Sequence, residues 1–81
     1  MAIKFVLKES LNLLDINANQ FNEYLNHAIR PHTIYDMTKS RSKRISVENL
    51  DLIIHTLNKI AVSKGFERKF TLEDVMIWVE E

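Results

Sequence analysis

The side chains best placed to do chemistry lie in residues 27–45, HAIRPHTIYDMTKSRSKRI. His32, Thr33 and Asp36 follow Pro31 closely, and Lys39, Arg41, Lys43 and Arg44 come next, interleaved with Ser40 and Ser42. Short polar groups that donate and accept hydrogen bonds match the base edges of a major groove, and closely spaced cations match phosphates. A short helix with a polar outer face, followed at once by a basic loop, is the order a helix-turn-helix requires.

Those residues need elements to hold them. Pro31 suits the first position of a helix, where a missing N–H costs nothing, and the spacing predicts a helix over 31–38. On its wheel Ile34 and Met37 point inward, His32, Thr33 and Asp36 point outward, and Tyr35 and Lys39 lie at the border. The basic loop occupies 39–44. Upstream, Ile3, Leu7, Leu11 and Leu14 recur at helical spacing and predict a first helix over 4–14. Asn17 or Asn19 can cap a second helix, in which Phe21, Tyr24, Leu25 and Ala28 share a face, with the turn at Ile29-Arg30. Downstream, Ser46 caps a fourth helix with the stripe Leu50, Ile53, Ile54, Leu57 and Ala61, ending near Lys64 at Gly65, the residue suited to a left-handed cap. Thr71, with Asp74 three residues on, predicts a last helix over about 71–80, with Leu72, Val75, Met76 and Val79 on one face. Ile77 and Trp78 fall off that face. An apolar patch of this kind rarely stays bare, which makes these two a candidate homodimer seam, alongside packing on Phe66 and Phe70.

Composition bounds the answer. The chain has 81 residues, enough for one small domain, and 46% of them are hydrophobic, so a folded core is expected. It has no cysteine, which excludes disulfides and thiolate metal sites. One Gly and one Pro argue against a turn-rich β fold. No apolar run approaches the roughly 20 residues of a spanning helix, and the first residues lack a signal-peptide core, so a cytoplasmic protein without membrane contact is expected. Net charge is zero, but it is unevenly spread. Residues 30–45 carry a local excess of +4, and residues 65–81 a local excess of −3. Screening confines charge interactions to about 8–10 Å at physiological salt, so a local basic patch suffices for phosphate contact.

Competing chemistry is sparse. His27, His32 and His55 lack metal-ligand spacing, so no metal or other cofactor is expected. No serine pairs with a histidine in the manner of an activated nucleophile, and a lone Gly cannot build a phosphate-cradling loop, so no catalysis is expected.

The stretch IRPHTIYDMTKSRSKRISVENLDLIIHTLN resembles the helix-turn-helix of the Cro and phage-repressor (XRE) family. The shared features are the Thr33-Ile34 pair, the basic loop, the Ile45-Ser46 start of helix four and the run Leu50-x-x-Ile53-x-x-x-Leu57-Asn58. The ending DVMIWVEE is similar to that of small family members. The resemblance implies an all-α, five-helix, lambda-repressor-like domain with its helix-turn-helix at about 18–38. It implies a bacterial or phage transcription regulator that binds double-stranded DNA. Base contacts would fall to Arg30, His32, Thr33 and Asp36, and phosphate contacts to Gln20, Lys39, Arg41, Lys43 and Arg44. A homodimer would read a palindromic site. Where the family usually carries Leu-Ala in helix two and Gly in the turn, this chain has Glu23-Tyr24 and Ala28. Those departures, Asp36 and the neutral net charge leave an alternative: a module with the same fold that binds a protein partner, as an anti-repressor, co-repressor or antitoxin does.

Overall fold

The computed structural model describes residues 2–39 and 45–80. Along the chain lie β1 (Ala2–Phe5), α1 (Leu7–Leu13), α2 (Ala18–Tyr24), α3 (Pro31–Thr38), α4 (Val47–Ser63), a 3-10 turn (Leu72–Asp74) and β2 (Met76–Val79). β1 and β2 pair antiparallel, with Ala2 opposite Val79, Ile3 opposite Trp78, Lys4 opposite Ile77 and Phe5 opposite Met76. The fold is therefore helix-rich α+β, and the expectation of an all-α, five-helix domain is wrong at both ends.

The expected last helix over 71–80 fails for an identifiable reason. Its capping box forms: the Thr71 and Asp74 side chains each bond the other's backbone N–H. One 3-10 turn follows and no more. A continuing helix would need the carbonyls of Asp74 and Val75 to accept from N–H groups one turn onward. The N-terminal segment takes both carbonyls instead. Ser10 Oγ donates to the Asp74 carbonyl at 2.6 Å, and the Val6 N–H donates to the Val75 carbonyl at 2.8 Å. Residues 76–79, Met-Ile-Trp-Val, then extend, as β-branched and aromatic side chains favour. The same pairing draws Lys4 and Phe5 out of the expected first helix, which starts at Leu7.

The remaining helices follow local chemistry. Asn17 and Gln20 form a reciprocal capping box at the start of α2, with N–H to side-chain oxygen distances of 2.8 and 2.9 Å. Pro31 opens α3. The Ser46 hydroxyl accepts from the Asn49 N–H at the start of α4. Three helices end with a residue in the left-handed region and the next N–H reaching back to the carbonyl five residues before it. The left-handed residues are Asp15 (φ 58°) after α1, Asn26 (φ 55°) after α2 and Gly65 (φ 80°) after α4. The closing bonds run from Ile16 to Leu11, His27 to Asn22 and Phe66 to Ala61.

The buried apolar side chains form one cluster. α1 contributes Leu7 and Leu11, and Leu14 follows it; α2 contributes Phe21, α3 Ile34 and Met37, and α4 Ile53, Leu57 and Ile60. Phe70 and Val75 close it from the C-terminal side. Each fully buried Leu or Phe contributes roughly 1.5–3 kcal/mol. Among the described residues no helix is long and apolar enough to cross a membrane.

Candidate nucleic-acid interface

α3 is held from inside by Ile34 and Met37, both fully buried, and it packs on α2 and α1. Its N-terminal residues are thereby fixed relative to the core. His32 and Tyr35 are exposed, and Lys39, which caps the C-terminus, is exposed beside them. Thr33 and Asp36 are half-buried on the flanks of this face. Arg30 is exposed at the residue preceding the helix, where its side chain makes no capping bond.

Two contacts organise the outer face. His32 Nε2 lies 3.0 Å from Asp36 Oδ2, one helical turn on. An exposed pair of this spacing is worth only about 0.3–0.5 kcal/mol, so it orders the side chains more than it stabilises the helix. One turn further, Lys39 Nζ sits 4.8 Å from the centroid of the Tyr35 ring. The face thus presents, in order, an imidazole–carboxylate pair, a tyrosine and an ammonium.

α2 and α3 are joined by Leu25–Arg30 rather than by a short turn at Ile29-Arg30. Asn26 and His27 are both left-handed, at φ 55° and 57°. Ile29 is buried and anchors the middle of the connection. Ala28, expected on the apolar face of helix two, is exposed outside it, and Tyr24 is 45% exposed.

Gln20, assigned to phosphate by resemblance, spends its side-chain carbonyl on the Asn17 N–H. Arg41, Lys43 and Arg44, the other residues of the basic loop assigned to phosphate, lie outside the described residues. Ile77 and Trp78 sit on β2, not on a helix. Ile77 is half-buried, while Trp78 is 55% exposed opposite Ile3, itself 58% exposed. Phe5 and Met76 continue this sheet face into the core, so the exposed pair is the overhang of a surface that is buried one step away.

Two features escaped the sequence reading. Tyr35 belongs to the exposed centre of α3 rather than its border. Lys8 and Asn12, four residues apart on α1, line a cleft that also takes in Tyr35, Thr38 and Lys39. Their spacing places them on one helix face, but nothing local indicates that this face meets α3. Among the described residues no group of three side chains is arranged to hold a metal ion. No family model, curated protein or solved structure matches the chain.

Proposed function

We propose that the chain is a sequence-specific regulator of transcription that binds double-stranded DNA, with α3 in the major groove and the 39–44 loop on phosphates. One observation carries the reading: α3 is pinned by Ile34 and Met37 and offers His32, Thr33, Asp36 and Lys39 along a rigid outer face. A short helix fixed to a core and flanked by cations is what direct readout needs. Arg30, exposed just before α3, would contact a base or a phosphate. The protein acts by binding, as a Cro-like or phage-repressor-like regulator, and two copies joined through the exposed Trp78 would read a palindromic site, whose half-sites lie about 34 Å apart.

The test is a gel-shift of the purified protein with random and genomic duplex pools at two salt concentrations. Salt-sensitive, sequence-selective retention supports the reading, and symmetry in the enriched sequence supports the dimer. No retention at low salt sinks it.

One observation favours a second reading, a module that docks on another protein. Ile3 and Trp78 form an exposed apolar pair on a ribbon of only two strands. Binding through that pair would be nearly independent of salt, whereas phosphate contacts give a steep negative slope.

A further inference from the structure

Between α1, the start of α2 and the end of α3 lies a cleft of about 380 Å³. Lys8 and Asn12 form one wall, Tyr35, Thr38 and Lys39 the other, and Asn17 closes one end. The buried side chains of Leu11 and Ile16 lie beneath it. Among the described residues no carboxylate lines this space; Asp15 lines a neighbouring depression with Asn12, Asn17 and Gln20. Among the described residues neither Lys8 nor Lys39 is in a salt bridge.

Two lysines on opposite walls, with the side-chain amides of Asn12 and Asn17 lining the same space, suit a phosphoryl group, while the Thr38 hydroxyl donates to the Tyr35 carbonyl at 2.7 Å. We propose that this cleft seats a backbone phosphate of bound DNA, gripped by Lys8 from α1 and Lys39 from the end of α3. The proposal rests on the DNA-binding reading and adds a contact from a helix outside the helix-turn-helix.

The identity of the anion follows from exposure. Lys8, Asn12, Asn17 and Lys39 are all exposed, so the cleft is open and its donors are hydrated. A free anion would lose little water there and be held weakly. A phosphate on a strand already anchored by α3 arrives at high effective concentration, and weak donors then suffice.

The experiment compares the salt dependence of duplex binding by the unaltered protein, Lys8→Gln and Lys4→Gln. Lys8 is exposed, so Lys8→Gln should melt with the unaltered protein, and Lys4 lies on β1 outside the cleft. The expected result is a log–log slope shallower by about 0.9 for Lys8→Gln, alike for all sequences, and no change for Lys4→Gln. If the unaltered protein binds DNA and Lys8→Gln keeps its slope, the cleft assignment is overturned and the DNA reading stands. If the unaltered protein does not bind, both fall. An NMR titration with inorganic phosphate covers the remaining case: saturable shifts at Lys8 and Thr38 below millimolar phosphate would reassign the cleft to a free anion and overturn the proposal.

Discussion

Asn58 on α4 holds both backbone polar groups of Phe70: its Nδ2 donates to the Phe70 carbonyl at 3.0 Å, and its Oδ1 accepts from the Phe70 N–H at 2.6 Å. One side chain thus does for Phe70 what a neighbouring strand would do. The ring beneath is almost fully buried, and the Arg68 guanidinium lies 5.0 Å from its centroid. This fixes where the chain leaves α4, and hence where Thr71–Val79 returns to meet β1.

Asn58→Ala should therefore destabilise the whole domain rather than a loop. It leaves a buried N–H and a buried carbonyl without partners, at about 1–3 kcal/mol for each group if neither recovers a bond to water. Urea denaturation should show a loss of roughly 2–4 kcal/mol with unchanged slope. A loss under about 0.5 kcal/mol would mean that the clamp contributes nothing.

Asn22 should behave in the opposite sense. Its side chain is buried in α2, and its Oδ1 accepts no hydrogen bond among the described residues. Asn22→Leu removes an unpaired buried carbonyl and adds apolar volume of similar shape, so stability should rise by about 1 kcal/mol. A fall in melting temperature would show that the oxygen is satisfied.

The turn before α3 stores strain that glycine can release. His27 is exposed at φ 57°, a conformation costing a residue with a Cβ about 1 kcal/mol. His27→Gly should stabilise the fold by roughly 0.5–1 kcal/mol, read by thermal melting. A destabilised variant would indicate that the imidazole makes a compensating contact.

The two classes of candidate DNA contact should separate in binding data. His32→Ala should lose discrimination at one base position, by roughly 1–3 kcal/mol, because it removes a group from the reading face and loosens Asp36. Lys43→Ala should weaken binding to every sequence alike and flatten the salt slope by about one unit. Competition titrations with operator and scrambled duplexes decide it: a Lys43→Ala that altered only sequence preference would reverse the roles.

Much of the candidate site was legible before folding. Pro31 opens α3, Ile34 and Met37 are its inward residues, and Ser46 and Gly65 bound α4, because caps and helical periodicity are local signals read within a few residues. The cleft beneath Tyr35 and Lys39 was not, since Lys8 and Lys39 are thirty-one residues apart and only packing of α1 on α3 brings them together.

The helical middle of this protein and the polar face of α3 were determined by the sequence itself, through bonds that close within one turn. Asn26 and Asp15, taking up the left-handed caps, mark where even that local reading slips by a few residues. The two ends were decided by tertiary structure. Ile3-Lys4-Phe5 and Met76-Ile77-Trp78-Val79 are short segments, the second wholly apolar, too short for periodicity to decide between helix and strand. A strand needs a partner for its N–H and carbonyl groups, and for each run that partner lies more than seventy residues away. Only when Ser10 and Val6 occupy the carbonyls of Asp74 and Val75 is the helical alternative closed and the ribbon formed.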